Sequence, residues 1–197
     1  MPVTLAGLEF VAAIFADFPY PWFVSGGWAI DLFRGDVTRE HEDLEIGIFR
    51  RDQRAARFLL EPAWELEKAV DTGVEMAWVR WYQGEFLELP IHQVRVSRPA
   101  GNPPEFELFL NDTQGNEWFF RRNAEIRRPE TSLWTFTDSG IPYLRPEIQL
   151  LYKARLLRDK DRHDFEGSVG RLDATARRWL KMRLESFLPG HKWLTEL

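Results

Sequence analysis

Two groups of residues in this sequence could do chemistry together. Asp43 and Glu45 stand at i and i+2 in the run Asp43-Leu44-Glu45-Ile46-Gly47-Ile48-Phe49. Its alternation predicts a strand with Leu44, Ile46 and Ile48 on one face and Asp43, Glu45 and Gly47 on the other. Carboxylates so placed sit roughly 6–7 Å apart at Cβ, twice the strand rise, so their oxygens can converge on one or two hard cations. Mg²⁺ prefers oxygen ligands and often takes one or two carboxylates plus substrate phosphates. A metal pair about 3.5–4 Å apart clamps an in-line displacement at phosphorus. Gly26-Gly27 lies upstream, ahead of a short helical pattern. Lacking Cβ atoms, its backbone can approach phosphate oxygens at a helix start, where the dipole favours anions. Alone, each feature also reads as a solvated strand face or a plain turn; their order and separation carry the chemical reading.

Other polar residues have two readings each. Arg39 and His41, in the approach to the acid strand, suit contacts with phosphate or with Asp43 and Glu45, and equally a loop ion pair and a strand-entry hydrogen bond. Asp31 reads as a brace for the Gly-Gly helix. Lys153 lies off the Leu150/Ala154/Leu157 stripe and either reaches a polyphosphate or is solvated. Asp161 and Asp164, three residues apart, are explained by helix capping. His163 and His191 lack metal-ligand spacing, and Arg121-Arg122 with Arg127-Arg128 read as a solvated hairpin edge.

The elements that must position these groups follow from periodicity. A helix is expected from Leu5 to Phe18, closed by Pro19 and Pro21, then a buried strand Trp22-Phe23-Val24, and a short helix up to Gly35. A helix over 52–60 follows the acid strand. Strands are expected at 64–70, 74–82, 85–89, 91–96, 105–110 and 117–122, with Pro90 marking a bulge or edge. Beyond about residue 145 the pattern is helical. The architecture expected is therefore α+β, a mixed β-sheet flanked by helices with a helical C-terminal part, divided into residues 1–144 and 145–197.

Composition sets the limits. In 197 residues there is no cysteine, which excludes disulfides, thiolate zinc sites and a cysteine nucleophile, so chemistry must run on oxygen ligands, His, Lys or hydroxyls. The 26 Lys and Arg against 31 Asp and Glu give a net charge of −5. Residues 1–144 hold 14 basic and 23 acidic side chains and 145–197 hold 12 and 8, an asymmetry that suits a metal-polyphosphate bridging the two parts and argues against a duplex nucleic-acid binder. No apolar run is long enough for a signal sequence or membrane span, so a cytoplasmic location is the default expectation.

The run from Val24-Ser25-Gly26-Gly27-Trp28-Ala29-Ile30-Asp31 through Thr38-Arg39-Glu40-His41-Glu42-Asp43-Leu44-Glu45 resembles the nucleotidyltransferase superfamily. It is most similar to the branch of aminoglycoside 2″-adenylyltransferases and lincosamide nucleotidyltransferases. The likeness is specific over 22–49. It continues more loosely through 118–122, Tyr152-Lys153-Ala154, Lys160-Asp161 and Asp164-Phe165. It departs at Glu45, where this branch shows Asp. The resemblance implies Asp43 and Glu45 as metal ligands and Ser25, Gly26 and Gly27 as a triphosphate cradle; on the phosphate-contact reading given above, Arg39, His41 and Lys153 join them in nucleotide binding. It also implies a third carboxylate on a later strand, as metal ligand and general base. Glu105 and Glu107 share a strand face, and Glu107, deeper in the apolar run, is favoured over Glu105 and Glu88; an exposed strand Glu is the other reading of each.

The implied activity is Mg²⁺-dependent transfer, with two ions, of a nucleoside monophosphate from ATP or another NTP. The acceptor is a hydroxyl of a small molecule such as an aminoglycoside- or lincosamide-like antibiotic. The competing expectation is a module of the same fold that binds nucleotide or protein without turnover.

Overall fold

A computed structural model describes residues 2–61, 63–98 and 105–197. Helix α1 (Leu5–Phe15) starts at Thr4, whose hydroxyl accepts from the Gly7 N–H, and buries Leu8, Val11 and Phe15 along one face. Strand β1 (Trp22–Ser25) runs directly into α2 (Gly26–Arg34), which ends on Gly35 in the left-handed region at φ 80°. Then come β2 (Glu45–Phe49), a single 3₁₀ turn, α3 (Gln53–Leu60), β3 (Glu65–Asp71), β4 (Met76–Arg80), β5 (Gln93–Ser97) and β6 (Phe106–Asn111). The chain continues through β7 (Thr113–Gln114), β8 (Glu117–Phe120), β9 (Asn123–Pro129), β10 (Trp134–Phe136) and β11 (Pro142–Leu144). It finishes with α4 (Pro146–Lys153), α5 (Asp159–Val169) and α6 (Ala174–Phe187).

Among the described residues, eight strands form one mixed sheet in the order β10-β11-β1-β2-β6-β5-β3-β4, and β7-β8-β9 form a small second sheet. The even-numbered side chains of the central strands, Val24, Ile46, Ile48, Leu108 and Leu110, are buried on one face. On that side Phe15 of α1 meets Trp22 and Phe106. Burial of this continuous apolar layer is the main favourable term holding the sheet. The odd-numbered residues, Phe23, Ser25, Glu45, Gly47, Glu107 and Phe109, share the opposite face. Gly47 is required there, because the Phe23 ring lies where its Cβ would be.

Several expected elements change. The acid strand starts at Glu45 rather than Asp43. Its last partner on β1 is Ser25, after which that chain turns into α2, so Asp43 has no ladder on that side. No strand forms over 85–89. The backbone there is satisfied by side chains instead: Arg50 donates to the Leu87 and Ile91 carbonyls, and Gln53 bonds both the N–H and the carbonyl of Leu87. Strand β8 stops at Phe120, which leaves Arg121 and Arg122 as a turn, and β10 and β11 were not foreseen. Helices α4 and α5 pack against α2.

Candidate active site

The cleft is built where β1, β2 and β6 meet α2. Register places Ser25 opposite Glu45 and Glu45 opposite Glu107, so three polar side chains form one row across the sheet. Gly26 follows with φ 70°, a left-handed conformation suited to glycine, and a Cβ there would stand 2.8 Å from the Glu45 carboxyl carbon. The glycine turn therefore touches the acid. At Gly27 a Cβ would collide with the Arg39 guanidinium and the His41 ring.

The cleft encloses about 1030 Å³ including its open mouth, and Ser25, Gly26, Gly27, Arg39, Asp43, Glu45 and Lys153 all line it. Asp43 is exposed and Glu45 half-buried. Burial, reinforced by the charges of Asp43 and Glu107 and opposed by Lys153 and Arg121, pushes the Glu45 carboxyl up to about 7. Glu107 is raised as well, first by burial and then by Asp43, while a 2.7 Å hydrogen bond from the Gln93 amide works against the rise. Carboxylates that resist ionisation together are suited to a cation or to a proton-transfer role. Glu107 stands beside Glu45 by register but outside the cleft lining, and Glu105 and Glu88 are exposed in the segments before β6 and β5.

Two expectations are corrected. His41 does not line the cleft: it is buried, its Nε2 lies 2.6 Å from Asp31 Oδ2, and its ring packs 4.5 Å from Trp28. Burial opposes the Asp31 charge, but the hydrogen bonds from His41 and Thr38 outweigh it and hold that carboxyl below its ordinary range. His41 thus props the loop that carries Arg39. In addition, the Gly26 N–H is taken: it donates to Gln149 Oε1 at 2.9 Å. The donors left at the turn are the Gly27 end of the helix and the Ser25 hydroxyl, a buried oxygen with no hydrogen-bond partner among the described residues.

Cations crowd the cleft from the other side. Lys153 is buried rather than solvated, with Nζ 2.7 Å from Asp164 and 3.5 Å from Asp161. Arg39 forks onto the same Asp164 through two 3.2 Å hydrogen bonds, so one fully buried carboxylate aims two cations from distant parts of the chain. Asp161 does complete the capping box of α5, and it also holds Arg158. Arg121, Arg122, Arg158 and Lys160 complete the basic lining, with Gln149 and Tyr152. Burial pushes the Tyr152 phenol up to about 12 despite the nearby arginines. None of Gln149, Asp164 or the Arg121-Arg122 pair was assigned a site role from sequence. The signal available was only the dense alternation of basic and acidic residues over 153–164.

No three His, Asp or Glu side chains among the described residues already form a metal cage. The donor set still fits a hard cation: the carboxylates of Asp43 and Glu45 both line the cleft, and the remaining ligands of Mg²⁺ are commonly water and substrate phosphates. The unpartnered Ser25 hydroxyl and the Cβ-free turn fit a phosphate beside it. Among the described residues no helix is long and apolar enough to cross a membrane.

Comparison with known proteins finds related sequences and folds. The chain is 22% identical over 156 residues to a lincosamide resistance protein of Staphylococcus haemolyticus, covering 76% of this chain and 84% of that protein. Its fold matches the lincomycin-bound lincosamide antibiotic adenylyltransferase LnuA, with a TM-score of 0.58 and 18% identity over 85% of this chain and 97% of the other. It also matches ANT(2″)-Ia in complex with adenylyl-2″-tobramycin, with a TM-score of 0.62 and 12% identity over 93% and 98%. The profile of the aminoglycoside-2″-adenylyltransferase family covers residues 8–167, from α1 through the buried Asp164, and the chain belongs to that family.

Proposed function

We propose that the protein transfers a nucleoside monophosphate, AMP from ATP, to a hydroxyl of a small molecule in the manner of the antibiotic adenylyltransferases. The observation that carries this reading is the contact between the glycine turn and Glu45, because it brings an anion-binding helix start and a pair of carboxylates into one cleft. Ser25 and Gly27 would hold the β and γ phosphates, with Arg39, Lys153 and Arg158 neutralising them from the opposite wall. Mg²⁺ ions on Asp43 and Glu45, two in number, would neutralise the triphosphate when bound. Glu107, fixed by Gln93, would take the proton of the acceptor hydroxyl. Little else is asked of the protein, since such transfer is dominated by positioning and charge stabilisation.

In this reading residues 1–144 supply the acids and the turn, and residues 145–197 supply the helical wall that carries Gln149, Lys153 and Arg158. The reaction, supplied with ATP and Mg²⁺, would run in the cytoplasm. The test is pyrophosphate release with Mg²⁺, ATP and a panel of hydroxyl acceptors, compared with Asp43→Ala. Asp43 is exposed, so its loss should abolish release and leave the fold unchanged; turnover retained by the variant would sink the assignment.

A further inference from the structure

We infer that the end of the cleft walled by the β8–β9 turn is the acceptor subsite, and that it takes a hydroxyl compound bearing an anionic group, a carboxylate or a phosphate, in preference to a polycation. This rests on the transfer reading above and adds the chemistry of the acceptor to it.

The sheet register fixes the layout. Beyond Ser25 the chain enters Gly26-Gly27 on the Asp43 side of the acid row, whereas Gly47 and Phe109, which pair with each other, lie on the other side of it. In phosphoryl-type transfer the attacking and leaving oxygens lie roughly in line. With the β and γ phosphates at the glycine turn, the incoming hydroxyl therefore stands over the Gly47–Phe109 row. Arg121 is found there, its guanidinium 6.0 Å from the Phe109 ring and 5.9 Å from the Tyr152 ring, while Asp112, which also lines the cleft, is paired with Arg50.

The cations at this end differ from those near the turn. Arg39 and Lys153 share Asp164, and Arg158 is held by Asp161. Arg121 and Arg122 have no carboxylate partner among the described residues. Arg122 donates to the Tyr152 carbonyl at 2.6 Å. Burial and the charges of Arg121, Arg155 and Arg158 all oppose its own charge, and Tyr152 favours it. Two neighbouring guanidiniums left without an acid among the described residues, Arg122 half-buried and Arg121 exposed on the cleft wall, form a site that an oxyanion would complete by charge-assisted, bidentate hydrogen bonds. A polyamine would meet them as repulsion, which is how a site rejects the wrong ligand.

Turn chemistry points the same way. Phe120 pairs with Asn123, so the two arginines alone make the hairpin turn. Neither has positive φ, while the favoured two-residue turns use Asn-Gly or Gly-X at positive φ. A local preference broken at a cleft wall is expected where function requires the side chains. Trp118, Phe119 and Tyr152 also line the cleft, an aromatic wall that suits a ring beside the anion.

The test uses the full chain. Calorimetry with Mg²⁺ and a non-hydrolysable ATP analogue establishes nucleotide binding. Adenylyl transfer from Mg-ATP is then measured by mass spectrometry on a matched set: glucose, glucosamine, glucuronate, glucose 6-phosphate and tobramycin. The expected result is that kcat/KM for the better of the two anionic sugars exceeds that for glucosamine by about tenfold or more, the scale of one or two charge-assisted hydrogen bonds. Which anion is preferred distinguishes carboxylate from phosphate. The R121Q/R122Q variant should erase that preference, its kcat/KM ratio of anionic to neutral sugar falling to about one, and Arg127→Gln on the outer β9 edge should retain it. Preference for glucosamine or tobramycin overturns the inference, as does an anion preference retained by R121Q/R122Q. Analogue binding with no adduct on either anionic sugar also overturns it while leaving the nucleotide site intact. Absence of nucleotide binding instead overturns the transfer reading itself.

Discussion

Replacing Glu45 with Gln should stabilise the protein and inactivate it. The side chain keeps its shape but loses a charge that the cleft resists, since burial, Asp43 and Glu107 raise its carboxyl from 4.5 to about 7. A raised carboxyl means that the folded state holds its proton longer than the unfolded chain does. The associated stability is complete below pH 4.5 and is lost as pH climbs through 7. At about 1.4 kcal/mol per pKa unit the shift corresponds to an upper bound of about 3.4 kcal/mol. Solvent reaching the half-buried side chain screens part of this, which leaves about 2 kcal/mol at pH 8. For a chain of this size that is a rise in Tm of about 4–8 °C. The assay is thermal and urea unfolding of both proteins at pH 4 and pH 8 without divalent cations. Stabilisation confined to pH 8 is expected. An equal gain at both pH values, or none at pH 8, would refute the account of Glu45 as a strained acid.

Other perturbations probe the parts around it. Asp164→Ala leaves Lys153 and Arg39 without their shared buried carboxylate and should cost about 3–5 kcal/mol in urea unfolding, whereas a loss under 1 kcal/mol would show that the cluster is solvated. Gln149→Leu orphans the Gly26 N–H and should cost about 1–3 kcal/mol while weakening nucleotide binding. Gly27→Ala must push Arg39 and His41 aside; ATP affinity measured by calorimetry should fall by about tenfold or more, a loss of one good phosphate contact. Because Glu45 is only partly ionised at neutral pH, Mg²⁺ binding should release protons and strengthen between about pH 6 and 8, as competition for a raised carboxyl requires.

What was legible in the sequence was local. Gly26-Gly27, the Asp43-x-Glu45 pattern and the period-2 run behind it all act within a few residues, and the structure brings them to one cleft. For the candidate third acid, alternation identified the strand that sets Glu107 beside Glu45 in register, although Glu107 stands outside the cleft lining. What could not be read were partners distant in sequence. Gln149 is separated from Gly26 by 123 residues and Asp164 from Arg39 by 125, and only the packing of α4 and α5 against α2 joins them. Capping explained Asp161 but concealed Asp164. His41 illustrates the reverse error: a loop histidine near the acids looks available for phosphate until burial against Asp31 and Trp28 shows it is spent on structure. The strand-like run at 85–89 misled for a related reason, since Arg50 and Gln53 satisfy backbone groups that a sheet would otherwise claim.

The most direct test of the central claim is a crystal structure of the protein with Mg²⁺ and a non-hydrolysable ATP analogue. The account predicts the β and γ phosphates against Ser25 and Gly27, the cation on Asp43 and Glu45, and Arg39, Lys153 and Arg158 on the opposite side. A nucleotide bound elsewhere, or bound in this cleft without metal at Asp43 and Glu45, would contradict it.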